Sequence, residues 1–293
     1  MLEGVTADAA VPCPACGSAV RPRIRPWIRR CTGCGLWSSD LRPDRHEQSA
    51  HVGEGQRQAA LEALRRANFE LILDLLARRG ALAGNRVLDV GSAHGWFLES
   101  AAARGMSVLG IEPDAEVAAR SAARLETRIG CFPEAVRPGE TFDVIAFNDV
   151  FEHLPEPAQV LGACVRQLRP GGRLLLNLPD ADGALFRAAC VLARAGLSAP
   201  LERLWQARFR FPHLWYFDAR SLQRLLAPHG LRLVDSVGLP IYRREKLWPR
   251  LRMDETTGVL LSALFYGALW SLEPLVRRAP DILVQVYELA PGD

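Results

Sequence analysis

Hydrophobic positions in this chain follow two different periods, which alternate along the sequence. Short apolar runs bounded by glycine, acidic or polar residues predict buried β-strands, whereas apolar residues spaced three or four apart predict helices. Helices are predicted at 56–79 and 157–168, and strands at 86–91, 107–112, 127–131, 142–147, 173–178, 231–237 and 282–289. The alternation predicts an α/β fold, a doubly wound Rossmann-like sheet of seven strands with ligands at the strands' carboxyl ends.

Four cysteines near the N-terminus stand in two pairs, each separated by two residues and followed by glycine. The pairs are Cys13 with Cys16 and Cys31 with Cys34. A two-residue gap lets one tight turn present two thiolates, and two such turns supply the four ligands of a tetrahedral zinc. Disulfide bonding is the alternative. The other cysteines are expected to be small buried apolar residues: Cys131, Cys164 and Cys190.

These patterns divide the chain into three parts. We expect a zinc ribbon over 1–40, with Trp27 and Trp37 filling its core, and a linker over 41–55. The main domain is expected over 56–293. Within it, the amphipathic, arginine-bearing segment 180–214 is an insertion at a place suited to a substrate lid.

The net charge and the N-terminal sequence limit the possible binding partners and the cellular compartment. The net charge of only +3 argues against whole-molecule attraction to nucleic acid. The ribbon carries five arginines and no acid between residues 11 and 39, so a nucleic-acid contact stays open beside the favoured structural or substrate-guiding cap. Residues 1–11 lack the pattern of a secretory signal, and cysteines in metal-like spacing suit a reducing compartment, so a cytoplasmic location is expected.

One late segment, 256–272, has 17 residues without a charge. Its length is at the bottom of the range for a membrane-spanning helix, and its polar positions weaken that interpretation. A buried helix or a peripheral contact with a membrane surface is expected instead. The oligomeric state stays open.

A glycine turn follows the first strand of the main domain. The stretch from Arg86 to Phe97 reads as a strand, a turn and the start of a helix, and Glu112 ends the next strand. An acid at that tip accepts the hydroxyls of a ribose, so the unit indicates a nucleoside site. Trp96 stands where a dinucleotide fingerprint needs its third glycine, which disfavours a pyrophosphate. The turn fits the pattern D-x-G-x-(G/A)-x-G, with Asp89, Gly91, Ala93 and Gly95.

This turn resembles motif I of the class I S-adenosylmethionine (SAM) methyltransferases. Residues 142–157, with the sequence Asn-Asp-Val-Phe-Glu-His near their centre, resemble the fourth-strand motif of the ubiquinone-pathway O-methyltransferases. Further matches to that group lie at 168–177, 212–222 and 225–234. A cysteine ribbon joined to such a domain resembles bacterial methyltransferases of surface-glycan and secondary-metabolite pathways.

The resemblance implies roles for particular residues. Asp89 would face the amino-acid end of SAM and Glu112 would hold its ribose, while Gly91, Ala93 and Gly95 would line the turn. Asn148 and Asp149 would lie near the methionine part. Relatives often carry an acid near the adenine after the third strand; this chain departs from them, with no acid there until Glu134, and Phe132 is expected to stack on the adenine instead. His153 is the first candidate for a general base and His213 the second, although either histidine can equally serve to order its loop.

The sequence limits the chemical class of the methyl acceptor but does not identify the acceptor. The fourth strand ends in Asn148-Asp-Val-Phe, which argues against amino methylation of DNA or of a release factor. A hydroxyl of a small-molecule, lipid-linked or glycan acceptor is favoured. Two alternatives stay open: an RNA base methyltransferase that grips its substrate with the zinc ribbon, and a SAM-binding partner subunit without turnover.

Overall fold

A computed structural model describes residues 12–42, 54–80, 83–242, 247–248, 251–252 and 258–290. Its centre is a seven-stranded sheet in the order β10-β11-β8-β7-β4-β5-β6. The strands are β4 (Arg86–Val90), β5 (Ser107–Glu112), β6 (Thr127–Ile129), β7 (Phe142–Asn148), β8 (Leu168–Pro179), β10 (Leu231–Leu239) and β11 (Ile282–Leu289). The pairs from β8 to β6 are parallel, and β11 is antiparallel to both of its neighbours. The predicted α/β, doubly wound fold is confirmed.

Alternation along the central strands explains why the sheet is covered on both faces. Val87 and Val144 pack into one buried cluster, whereas the next residues, Leu88 and Ile145, pack into another. All four side chains are completely buried. Successive side chains of a strand point to opposite faces, so continuously apolar strands require helices on both sides.

Helices provide that cover and connect the strands. They are α1 (Glu54–Arg78), α2 (Trp96–Ala103), α3 (Ala115–Ala122), α4 (Pro157–Gln167), α5 (Ala184–Arg194), α6 (Ala199–Leu204), α7 (Ala219–Leu226) and α8 (Val259–Arg278). Short 3-10 helices occupy Phe151–His153 and Ala227–His229. Among the described residues, none of the helices is long and apolar enough to cross a membrane.

The cysteine ribbon shares a sheet with the main domain. Its strands β1 (Val20–Arg23), β2 (Arg25–Cys31) and β3 (Trp37–Ser39) pair in that order, and β3 then pairs with β9 (Trp215–Tyr216). Trp37 lies opposite Tyr216 in this antiparallel pair. Because β9 belongs to the main domain, the ribbon is an extension of that domain's structure.

The ribbon also shares its hydrophobic core. Trp37 packs edge-on against Phe186 of α5 at 5.8 Å between ring centres, and Trp27 packs on Trp205 at 6.1 Å. Ile28, which is fully buried, belongs to the same cluster. The prediction that the two tryptophans fill a core private to the ribbon is therefore wrong. A segment of this size cannot bury such large side chains by itself, so it uses the inserted helices.

Two more sequence predictions need correction. Cys131, expected to be buried, is exposed after the short strand β6, whereas Cys164 and Cys190 are buried as expected. The uncharged stretch was expected to form either a buried helix or a surface contact. Its described part lies in α8, where Leu260 and Leu264 are 84% and 71% exposed. The buried alternative is thus excluded.

Candidate functional site

The glycine turn connects β4 to α2 and brings backbone to the carboxyl edge of the sheet. Gly91 has φ 71°, and a Cβ built on it would lie 2.5 Å from Val150 Cγ2. Gly95, at the N-terminus of α2, has φ 77°. Ala93 takes φ 44°, a conformation that costs energy for a residue with a Cβ. The turn therefore follows a tight path that only glycine at residue 91 permits.

Asp89 lies directly before this turn and is 2% exposed. Its Oδ1 accepts a hydrogen bond from Asn148 Nδ2 at 3.0 Å, and Asn177 Nδ2 donates to Asn148 Oδ1 at 3.2 Å. Burial raises the pKa of Asp89 to about 7, and the nearby charge of Glu112 acts in the same direction. A buried carboxyl in this environment is stabilised by a cation that arrives with a ligand.

Glu112 ends β5, the strand next to β4, and is 8% exposed. Its Oε2 accepts from the backbone N–H of Ala93 at 3.0 Å, and its Oε1 accepts from that of Asp114 at 2.9 Å. These bonds fix the carboxylate against the turn. Each oxygen keeps a second lone pair for a further donor.

A small cleft, open to solvent, lies at this edge of the sheet. It is lined by Arg65, Phe69, Asp89, Gly91, Ser92, Ala93, His94, Trp96, Phe97, Asn148 and Asp149. Five of the eight candidate cofactor residues are among them. Gly95, Glu112 and Phe132 are not, and Phe132 packs edge-on against Phe147. Glu112 nevertheless reaches the cleft wall through its bond to Ala93.

Arg65 is a cleft residue that the sequence analysis missed. Its guanidinium donates to Asp149 Oδ2 at 3.1 Å, across 84 positions of sequence. Asp149 itself has φ 55°. Nothing in the helical pattern of α1 distinguishes Arg65 from its other arginines, so only the folded structure identifies it.

Beyond Asp149, a buried carboxyl lies between two imidazoles. Glu152 Oε1 is 3.9 Å from Nε2 of both His153 and His213. Glu152 is 1% exposed, and neither of its side-chain oxygens has a hydrogen-bond partner in the described part of the chain. Burial raises its pKa well above the usual value, with the charge of Asp149 adding to the effect. Burial in this environment therefore disfavours the ionised form of the carboxyl.

The two candidate histidines differ in exposure. His153 Nδ1 donates to the carbonyl oxygen of Pro212 at 2.9 Å, which leaves Nε2 as the unprotonated nitrogen of the neutral ring. Burial lowers the pKa of His153, whose side chain is still 19% exposed. The His213 side chain is 6% exposed and contacts Gln206 Nε2, and burial lowers its pKa to about 3. Both rings are thus neutral at physiological pH.

The four N-terminal cysteines form a compact cluster. Cys13 Sγ lies 3.5 Å from Cys34 Sγ, Cys16 Sγ lies 3.4 Å from Cys31 Sγ, and all four sulfurs are within 4.8 Å of one another. Tetrahedral zinc with Zn–S bonds of about 2.3 Å places sulfurs about 3.8 Å apart. Gly33 N and Cys34 N donate to Cys31 Sγ. The cluster therefore has the size and donor set that fit zinc.

Comparison with known proteins agrees with the geometry. Residues 60–236 match a family model described as a methyltransferase domain. A ubiquinone biosynthesis O-methyltransferase of Xylella fastidiosa (strain 9a5c) is 36% identical over 196 residues, covering 64% of this chain and 76% of that protein. Its counterpart in Hahella chejuensis (strain KCTC 2396) is 38% identical over 133 residues, 41% of this chain, and the match spans only 54% of that protein.

Among solved structures, phosphoethanolamine N-methyltransferase 2 of Haemonchus contortus, in complex with SAM, matches with a TM-score of 0.57. The match has 15% identity and covers 84% of this chain and 59% of that one, so it supports a shared fold and nothing more. The family match covers more than half of the chain, and the glycine turn with its two carboxylates lies inside the matched residues. The chain belongs to the methyltransferase-domain family and shares the fold of a methyltransferase solved in complex with SAM.

Proposed function

We propose that this enzyme transfers the methyl group of SAM to a hydroxyl oxygen of a small-molecule, glycan or lipid-linked acceptor. The observation that carries the proposal is the imidazole of His153, whose Nδ1 is bonded to the Pro212 carbonyl while Nε2 is left as a free base. It follows the carboxyl end of β7, four residues after the cleft residue Asp149. The likeness to ubiquinone biosynthesis O-methyltransferases supports oxygen as the methyl acceptor.

In this proposal, the cleft at β4 and β5 holds SAM. Asp89 pairs with the ammonium of the methionine part, and Glu112 accepts the ribose hydroxyls while its backbone bonds hold it in place. Asn148 and Asp149 line the methionine side. The small turn at Gly91, Ala93 and Gly95 lets the nucleoside approach the backbone. Phe132, packed on Phe147, is assigned the adenine side.

SAM supplies a methyl group already activated by its positive sulfur. The chain's residues have to bind the acceptor in line with that methyl, exclude water and remove the hydroxyl proton. The acceptor oxygen forms a bond to the methyl carbon as the carbon–sulfur bond breaks, and the proton passes to His153 Nε2. A neutral imidazole with a lowered pKa is ready to accept that proton without first losing one.

His213 takes a positioning role in this arrangement. Its side chain is 6% exposed, so it is less accessible to an acceptor than His153. Its ring centre lies 4.8 Å from that of His153. The buried Glu152 carboxyl lies 3.9 Å from Nε2 of both rings. We assign His213 and Glu152 the role of holding the His153 ring in one orientation, which is what a positioned base requires.

Zinc in the cysteine cluster is proposed as structural. The four sulfurs belong to a ribbon whose sheet continues into β9, three residues after Pro212. The insertion 180–214 packs on the same ribbon through Phe186 and Trp205. We assign ribbon and insertion together as the wall and lid of the acceptor pocket.

The contacts of the ribbon's arginines weaken the alternative of an RNA base methyltransferase. Arg25 pairs with Glu202 at 2.8 Å, Arg29 pairs with Asp40 at 2.8 Å, and Arg30 stacks on the ring of Trp37. Arg21 and Arg23 are exposed. Phosphate binding relies on several basic groups acting together, and three of the five are engaged internally.

The test is a transfer assay with tritiated SAM against fractionated polar and lipid extracts of the host, followed by mass spectrometry of the labelled product. Label on the oxygen of a small molecule, glycan or lipid, lost in Glu112→Gln, is the expected result. Label on RNA, with binding that weakens steeply with salt, would establish the RNA alternative. SAM binding with no labelled product in any fraction would favour a partner subunit without turnover.

A further inference from the structure

Helix α8 presents large apolar side chains to solvent along its length. Val259 is 58% exposed, Leu260 84%, Leu264 71% and Leu275 54%. Phe265 and Leu272 beside them are 47% and 42% exposed. Single exposed apolar residues are ordinary, but a row of them on one helix marks a contact surface.

The exposed row has a helical period, and so has the opposite, inward face. Ser262 and Val276 are buried, and Tyr266 and Leu269 pack on the cluster formed with Tyr242 and Ala184. Leu260, Leu264 and Leu275 lie on the other side, at spacings of four and eleven. The helix therefore packs on the protein through one apolar face and carries a second apolar face outward, which the described part of the chain leaves exposed.

The charge of the sequence that contains and precedes the helix indicates which partner suits that face. The stretch 243–278 contains seven basic and four acidic residues, a net charge of +3, as large as that of the whole chain. Within α8 the basic residues are confined to its end, where Arg278 and Arg277 are exposed and Arg277 is paired with Glu273 at 2.9 Å. An apolar helical face bordered by positive charge matches a bilayer with an anionic surface, in which the helix lies parallel to the plane.

We propose that the outward face of α8 docks this protein on an anionic lipid bilayer. The leucines enter the boundary between headgroups and acyl chains, and Arg277 and Arg278 lie at the level of the phosphates. Trp270 and Trp248, 43% and 39% exposed, have the amphipathic side chains favoured at that level.

The docked face lies next to the insertion assigned as the lid. The backbone N–H of Ala184 donates to the carbonyl of Ala279, and Asp281 Oδ1 accepts from the N–H of Leu185. The end of α8 is thus tied to the start of α5. Resting on the proposed function, this contact favours the lipid-linked class of acceptor, which reaches the enzyme from the bilayer.

The test is flotation of the full chain with vesicles of phosphatidylcholine alone or mixed with phosphatidylglycerol. We expect binding to the mixed vesicles, weaker binding to phosphatidylcholine alone, and loss at high salt. The double variant Leu260→Ser/Leu264→Ser should bind roughly tenfold less or weaker still, because two side chains no longer enter the apolar layer. Leu71→Ser, at a 45% exposed leucine of α1, is the matched control and should bind like the parent.

Equal vesicle binding by the parent and the double variant would overturn the proposal. So would an absence of vesicle binding together with a dimer that the double variant converts to a monomer in light scattering, because α8 would then pair two copies. Melting temperature and SAM calorimetry show whether the variants are folded. The methyl-transfer assay tests the proposed acceptor chemistry independently, since vesicle binding needs neither SAM nor an acceptor.

Discussion

Ser39 of the cysteine ribbon donates a hydrogen bond from its Oγ to the carbonyl oxygen of His213, at 2.8 Å. The two residues are 174 positions apart in sequence. The N–H of Ser39 also donates to the carbonyl of Leu214, as β3 meets β9. Because Pro212, the next residue back, holds the His153 ring, the ribbon supports the backbone on which the proposed base depends.

Removing the metal should therefore destabilise the whole protein. We expect a chelator to lower the melting temperature by about 5 °C or more in one transition, because Trp37 and Ile28 belong to a core shared with α5 and α6. Restored zinc should reverse the shift. Scanning calorimetry with metal analysis measures both.

Cysteine variants provide the control for that experiment. Cys31→Ser, within the cluster, should lose zinc and lower the melting temperature, whereas Cys131→Ser, at an exposed thiol outside it, should do neither. A ribbon that melts separately while the main transition stays in place would contradict the shared core.

Replacing Gly91 by Ala should disrupt the glycine turn and SAM binding. The added Cβ meets Val150 Cγ2 at 2.5 Å and must adopt φ 71°. We expect a loss of about 1–3 kcal/mol in the free energy of unfolding and at least a tenfold weaker SAM affinity in calorimetry.

Gly139 provides a matched control for the strain. It has φ 80°, but a Cβ there would meet nothing within 4 Å. Gly139→Ala should lower the free energy of unfolding only by the cost of the strained backbone, and it should bind SAM with the affinity of the parent. Equal losses of SAM affinity in both variants would show that close packing at residue 91 is not what the turn requires.

Asp89→Asn should stabilise the ligand-free protein while weakening SAM binding. The pKa of Asp89 rises from 3.8 to about 7 on folding, so its contribution to stability is complete below pH 3.8 and is lost as the pH rises through about 7. At pH 8 the amide avoids a buried negative charge and still accepts from Asn148. We expect a gain of about 1–3 kcal/mol at pH 8, measured by denaturant unfolding.

The same carboxyl should make SAM affinity depend on pH. In the proposed site only ionised Asp89 pairs with the ammonium of SAM, so the affinity of the parent should rise between pH 6 and pH 8, around the raised pKa of about 7. Asp89→Asn should bind weakly and lack this dependence. An unchanged affinity in the variant would remove Asp89 from the cofactor site.

His153→Ala should impair turnover without impairing cofactor binding. Loss of the base is expected to reduce the rate by about 10²–10⁴-fold, with SAM affinity close to the parent's. Burial holds the pKa of His153 below 6.5, so the parent's rate should be on its plateau at pH 7 and fall only in more acid solution. His229→Ala, in the 3-10 helix Ala227–His229, is the control and should retain activity. A parent-like rate in His153→Ala would leave His153 a purely structural role.

Local patterns were enough to predict the central sheet and the glycine turn that follows its first strand. The strands at 86–90 and 282–289 lie within or at the predicted bounds, because apolar runs between turn residues must be buried wherever they occur. The cysteine spacing likewise predicted the sulfur cluster, since two tight turns bring four thiols together locally. These features depend on neighbours within a few tens of residues.

Contacts between distant segments were decided only by the tertiary structure. The pattern in α1 does not mark Arg65 as the partner of Asp149, and nothing in the ribbon's sequence shows that Trp37 pairs with Tyr216. From the sequence alone, Glu152 is one acid in a polar turn, yet packing buries it beside two histidines and thereby raises its pKa. Burial and long-range pairing arise only when the helices and strands pack together. They therefore determine the pKa values and the contacts of side chains whose identities the sequence already gives.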